Sequence, residues 1–169
     1  MNDQELRVQF ERMARGETEA FDAVYADMKM PIYTVILRTL GDRQLAEDVL
    51  QEVFVTLYRR PPCEVRAARA YLFRMARNSA LDCLRRQSSF EGDEALDSVP
   101  DDAPTDGGVG LRMDLEAALQ RLSVNDRQIV TLHSLAGLKF REIAELMQLP
   151  LGTVLWRYRR AIERLRELL

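Results

Sequence analysis

Phe140-Arg141-Glu142-Ile143-Ala144-Glu145-Leu146-Met147-Gln148-Leu149-Pro150-Leu151-Gly152-Thr153-Val154-Leu155-Trp156-Arg157-Tyr158-Arg159-Arg160 is the stretch whose reading decides the fold. Apolar residues recur at helical spacing from Phe140 to Met147. Gln148-Leu149-Pro150 interrupts them, and a longer helical run follows from about Leu151 to Leu168. A short helix, a tight turn and a longer helix with a basic face make the helix-turn-helix pattern, whose second helix enters the DNA major groove. The pattern is moderately specific, because many all-helical proteins share the spacing without touching DNA.

Outward from that stretch, helical periodicity continues. Met113 to Leu122 predicts one helix, and Ser123 or Asn125 caps another that runs to Leu135 before Gly137 breaks it. In the N-terminal half, Phe21, Val24, Tyr25 and Met28 follow the i, i+3, i+4, i+7 rule. Ile32, Val35, Ile36 and Thr39 continue it after Pro31, a residue tolerated in a first helical turn. Gly41 is a stop and Asp42 a cap for a helix carrying Val49, Val53 and Leu57 toward a core. Pro61-Pro62 ends that helix, and another is expected from about Val65 to Gln87. No strand-like alternation with hairpin turns is present. The fold class is therefore all-α.

One gap breaks the pattern. Ser88 to Gly110 is rich in Ser, Asp, Gly and Pro and poor in large apolar groups, so it has little to bury against its ordering entropy. It predicts a flexible acidic linker between two small helical domains, at 1–87 and 113–169, with the linker at 88–112.

The formal net charge of −3 argues against a nucleic-acid binder, but it conceals a segregation. Arg66 to Arg86 holds six arginines against one acid, and Arg157 to Glu167 five against two. Glu91 to Asp106 holds seven carboxylates and no base. Two basic helices separated by an acidic tether are better described by their parts than by their sum.

The 169 residues contain no run near the roughly 20 apolar residues a membrane span needs. Met1-Asn2-Asp3-Gln4-Glu5 is polar and acidic, unlike a signal peptide, so the expected location is cytoplasmic, with no membrane insertion. Cys63 and Cys83 form no CxxC pair and lie far in sequence from the single His133, so they read as reduced thiols and no metal site is expected. Nothing resembles a phosphate loop, a paired His–carboxylate or a nucleophile site, so no enzyme activity and no cofactor are expected.

Asp42-Arg43-Gln44-Leu45-Ala46-Glu47-Asp48-Val49-Leu50-Gln51-Glu52-Val53-Phe54 resembles the polymerase-binding helix of extracytoplasmic-function sigma factors, of the sigma-70 family. Ala70 to Arg86, with Tyr71-Leu72-Phe73-Arg74-Met75-Ala76-Arg77-Asn78 inside it, resembles their −10 promoter helix. Leu138 to Leu165 resembles their −35 helix-turn-helix. The three occur in the family's order and cover about residues 16–87 and 113–167.

The resemblance implies a sigma factor that binds core RNA polymerase and promoter DNA, commonly with an anti-sigma factor as inhibitor. Asp48, Gln51 and Glu52, neighbours on one helix face, would meet a basic coiled coil of the polymerase. Tyr71, Arg74, Arg77, Asn78, Arg85 and Arg86 would serve the −10 element. There arginines at 66, 69, 74, 77, 85 and 86 can pair with phosphates, Asn78 can read a base edge, and Tyr71 or Phe73 can stack on an unpaired base. Phe73 and Leu72 also read as core, and one of them must be. Thr153, Leu155, Trp156, Arg157, Arg159 and Arg160 would serve the −35 element.

The sequence departs from the family's pattern in places. Tyr71 stands where Trp is usual, and Gln148 where a turn glycine is usual. Leu155 and Trp156 occupy positions that are often Lys or Arg and a small polar residue. Trp156 has room either between the two helices or on a partner. These departures keep an alternative open: a sigma-like regulatory protein acting mainly by binding an anti-sigma partner. The acidic tether reads equally as a nucleic-acid mimic or as a solubilising spacer.

Overall fold

The computed structural model describes residues 1–87, 93–99 and 114–169. The described residues form eight α-helices and one short 3-10 turn, with no strand among them, as the periodicity predicts. The chain divides into two compact units, Met1–Cys83 and Leu84–Leu169.

The first unit holds α1 (Asp3–Ala14), α2 (Thr18–Leu40), α3 (Arg43–Arg59) and most of α4 (Ala68–Arg86). Helix α1 is not picked out by the sequence reading. Its start is a capping box: the Asn2 side chain accepts from the Glu5 amide, and the Glu5 carboxylate accepts from the Asn2 amide. Leu6, Phe10 and Met13 give it a buried face.

Helix α2 differs from expectation. Pro31 opens no new helix but lies inside a single 23-residue one. An interior proline removes one backbone hydrogen bond and crowds the preceding turn. Val24, Met28, Ile32, Val35, Ile36 and Thr39 nevertheless form one unbroken buried stripe across it. Burial worth about 1.5–3 kcal/mol for each large apolar side chain outweighs that local cost. Phe21 and Tyr25, which share the apolar periodicity, are only partly buried.

Gly41 ends α2 in the left-handed conformation that glycine tolerates (φ +71°), and the Asp42 carboxylate caps α3 by accepting from the Leu45 amide at 3.0 Å. Val49, Val53 and Leu57 face the core as the spacing requires. Helix α4 starts at Ala68, three residues later than the sequence suggests. Its first turn is fastened to the chain start: the Arg69 amide donates to the Asp3 carboxylate, and the Arg69 guanidinium to the Met1 carbonyl.

The second unit holds α5 (Leu115–Gln120), α6 (Val124–Ser134), α7 (Phe140–Met147) and α8 (Leu151–Leu168). Ala118, Leu119, Leu122, Val130, Ala161 and Leu165 form its core, with Tyr158 and Ile162 packed against it. Arg127 is buried in this unit. Its guanidinium donates to the carbonyls of Leu119 and Leu122, at the end of α5. Burial pushes it down from the ordinary arginine range to about 10, so it stays charged at neutral pH while satisfying helix-end acceptors. Helices α6, α7 and α8 meet at three rings: His133 stacks on Phe140 at 4.0 Å, and Tyr158 sets an edge against both. The single histidine is thus a packing residue of the helix-turn-helix.

The turn between α7 and α8 explains Gln148. It takes the left-handed conformation (φ +56°) that a glycine would adopt without strain. The Leu149 amide reaches back to the Ala144 carbonyl at 2.9 Å, closing the turn.

Most of the expected linker lies outside the described residues. Residues 93–99 depart from a loose tether. Asp93–Asp97 forms a 3-10 turn whose Leu96 is buried, and the turn packs on α6. A single well-placed leucine supplies the apolar anchor that the composition of the segment conceals.

Candidate polymerase and nucleic-acid interfaces

Helix α3 turns two different faces outward and inward. Ala46, Val49, Leu50, Val53, Phe54 and Leu57 are buried, while Asp48, Gln51, Glu52 and Val55 are exposed at i, i+3, i+4 and i+7. The acidic face borders an open apolar groove of about 880 Å³ between α2 and α3, lined by Tyr25, Met30, Tyr33, Phe54, Val55 and Tyr58 among others. Gln51 also lines it. Tyr25 sits edge-on to Phe54 at 4.9 Å and Phe21 edge-on to Tyr58 at 5.1 Å. Met30 is 61% exposed and Tyr58 55%. Contiguous apolar exposure beside a charged face is a feature of docking surfaces. The sequence reading placed Phe21 and Tyr25 on the apolar periodicity of α2 and did not single out Tyr58. The signal was available: Val55 and Tyr58 continue the Gln51–Glu52 face.

On α4, Arg74, Asn78, Asp82, Arg85 and Arg86 are exposed and share one side. Arg77 is half-buried beside them. Tyr71 is half-buried and packs edge-on against Phe10 at 6.2 Å. Phe73 and Leu72 are both fully buried, so neither ring nor methyl is available to a base, and the stacking role considered for Phe73 is withdrawn. Arg69 lies over the Phe73 ring and bonds the Met1 carbonyl, a structural post that serves the core and the chain start.

On α8, Gly152, Trp156, Arg159, Arg160 and Glu163 form the exposed stripe, and Val154, Ala161 and Leu165 the buried one. Thr153 and Leu155 are half-buried at its margins. Trp156 is 57% exposed and does not pack between the helices of the turn. The Arg160 guanidinium covers its ring at 5.0 Å, a cation–π contact one helical turn along. Arg157 stands apart from the other arginines. Its guanidinium donates to Asp126 at 2.9 Å and pairs with Asp97 at 2.8 Å.

An exposed acidic helix face, an arginine-studded helix and a helix-turn-helix together are features of the DNA-reading components of transcription. Comparison with known proteins narrows this. The family model for Sigma-70 region 2 matches residues 24–90 and that for Sigma-70 region 4 matches residues 112–165. The RNA polymerase sigma-H factor of Pseudomonas aeruginosa is 34% identical over 96% of this chain and 92% of its own length. The RNA polymerase sigma factor CarQ of Myxococcus xanthus is 32% identical, covering 94% of both chains. The ECF RNA polymerase sigma factor SigW of Bacillus subtilis is 27% identical over 96% and 95%. Among solved structures, CnrH in complex with the cytosolic domain of CnrY matches with a TM-score of 0.71 at 21% identity, over 97% of this chain and 96% of that one. The sigma factor RpoE of Bartonella quintana, in complex with the anti-sigma factor NepR, matches at 0.67 and 23% identity, over 88% and 95%. The chain belongs to the sigma-70 family as an extracytoplasmic-function sigma factor, and it directs RNA polymerase in transcription initiation.

Proposed function

We propose that the outer face of α3 grips core RNA polymerase while α4 and α8 hold the two promoter elements. In this reading residues 1–87 serve polymerase and the −10 element, 88–112 are the tether, and 113–169 serve the −35 element. Asp48, Gln51 and Glu52 meet a basic surface of the polymerase, and the neighbouring groove of Tyr25, Met30 and Tyr58 adds apolar contact. Arg74, Arg85 and Arg86 hold phosphates near the −10 element, with Asn78 at a base edge. Arg159 and Arg160 hold phosphates beside the −35 major groove, and Trp156 supplies apolar contact there, the kind that favours a thymine methyl.

One observation carries the reading. Asp48, Gln51 and Glu52 on α3, Arg74, Asn78, Arg85 and Arg86 on α4, and Arg159 and Arg160 on α8 are all exposed, while each helix buries an apolar stripe on its other side. The protein works by binding alone, with no catalytic chemistry of its own, in the cytoplasm where polymerase resides. An anti-sigma factor is a fitting inhibitor, since the sigma factor RpoE of Bartonella quintana, of the same fold, is seen in complex with the anti-sigma factor NepR. The apolar groove beside α3 suits such a partner, and occupation of it would exclude polymerase.

Transcription in vitro, with purified core polymerase and genomic fragments, tests the reading. Discrete start sites that depend on this protein are expected. Binding to an anti-sigma factor without any specific initiation would instead favour a regulatory decoy.

A further inference from the structure

Among the described residues of the tether, the 3-10 turn is fastened to α6 and α8, and the Asp97 carboxylate is seated there between two donors. Leu96 is 6% exposed against the second unit. Beside it, one carboxylate oxygen of Asp97 accepts from Asn125 Nδ2 at 2.8 Å and from Arg157 Nη2 at 2.8 Å. Asn125 is in the first turn of α6, where the helix dipole and unpaired amides favour negative charge. Arg157 Nη1 is held separately by Asp126, the next residue of the same turn, at 2.9 Å. Arg157 follows Trp156 on α8 and lies one turn from Thr153 and Arg160. The seat therefore flanks the exposed stripe, where the phosphates bordering a major-groove helix lie.

We propose that Arg157 Nη2 and Asn125 Nδ2 form a seat for a DNA phosphodiester oxygen, and that Asp97 occupies it in the free chain. Asp126 is the positioning residue: it keeps the guanidinium aimed whether the seat holds carboxylate or phosphate. Asp97 is the removable occupant. It is about half exposed, and among the described residues the turn that carries it is fastened by Leu96, an ion pair and a side-chain hydrogen bond. Openings of such small, weakly anchored segments are among the least costly in a folded protein. The tether thus lowers the DNA affinity of the second unit until it is drawn off. This rests on the reading of α8 as a DNA-facing helix.

Binding of the full chain to a mixed-sequence duplex, measured across a salt series, tests it in a double-mutant cycle. Asp97→Asn is expected to tighten binding about threefold or more and to steepen the salt dependence by about one phosphate contact. Leu96→Ala, which frees the turn without changing charge, is expected to act in the same direction. In an Arg157→Ala background both gains should vanish. Equal tightening by Asp97→Asn with and without Arg157 would overturn the seat, leaving only through-space repulsion. So would unchanged binding in both variants. Arg159→Ala with Arg160→Ala separates the parent reading: if that pair leaves binding intact, α8 does not face DNA and the seat falls with it. If the pair weakens binding while the Asp97 and Leu96 variants are silent, only the seat is overturned.

Discussion

The guanidinium of Arg157 is held 2.9 Å from the carboxylate of Asp126, and this pair ties α8 to the first turn of α6. Arg157 is thereby set apart from Arg159 and Arg160, although the three are near neighbours in sequence. Arg159 and Arg160 are exposed, whereas one nitrogen of Arg157 is committed to the contact between α6 and α8 and the other faces Asp97.

Arg74 and Asn78 are one turn apart on the exposed side of α4 but should fail differently. Arg74→Ala is expected to weaken promoter and non-promoter DNA alike and to lower the salt slope by about one. Asn78→Ala is expected to cost about 1–3 kcal/mol on the promoter alone, with the slope unchanged. Titrations of holoenzyme against both DNAs at several salt concentrations check this, and identical behaviour of the two variants would contradict it.

Trp156→Ala removes the largest exposed apolar group of α8 and the platform under Arg160. The fold should be little affected, because the side chain is more than half exposed. Discrimination among −35 sequences is expected to fall by about 1–3 kcal/mol at one base pair. Selection of −35 variants by wild type and mutant reads this directly, and an unchanged preference would show that Trp156 serves another partner.

Arg127→Met should destabilise the second unit by about 1–3 kcal/mol, because the carbonyls of Leu119 and Leu122 lose their donor. The pH profile has a definite sign. Burial lowers Arg127 to about 10 in the folded state, well below its ordinary value in the unfolded chain. Between those values the unfolded chain binds the proton more tightly, so the burial penalty fades as pH rises through the window. From about pH 5 to about pH 9 both states are protonated, and the difference between wild type and Met variant should be flat. Urea unfolding at several pH values measures it.

Gln148→Gly should raise stability by about 1 kcal/mol, since glycine adopts the left-handed turn without strain. The gain is limited because glycine also frees the unfolded chain. A melting temperature that rises by a few degrees is expected, and a fall would mean that the Gln148 side chain stabilises the turn in another way.

Helix boundaries in the second unit were legible because caps and breakers stand at each one: Ser123, Gly137 and the Gln148-Leu149-Pro150 turn. Pro31 misled because local propensity speaks for one turn, whereas the buried stripe from Val24 to Thr39 speaks for the whole helix. Helix α1 was missed because its start is written in reciprocal hydrogen bonds of Asn2 and Glu5, residues that read only as polar. The site was legible as motifs but not as partners. The resemblance singled out Asp48, Arg74 and Arg159, and all three are exposed. The attachment of Asp97 to Arg157, sixty residues away, has no local signature, and neither has the groove that Tyr25 and Tyr58 build from separate helices.

The assignment of the acidic face of α3 to polymerase is most directly tested by the affinity of the full chain for purified core RNA polymerase, with Asp48→Lys and Glu52→Lys introduced together. Both side chains are exposed and outside the core, so the double variant should fold normally. Binding at least tenfold weaker than wild type at low salt, with the gap narrowing as added salt screens the charges, is the expected result. Equal affinity of the two proteins at physiological salt would place the polymerase contact elsewhere.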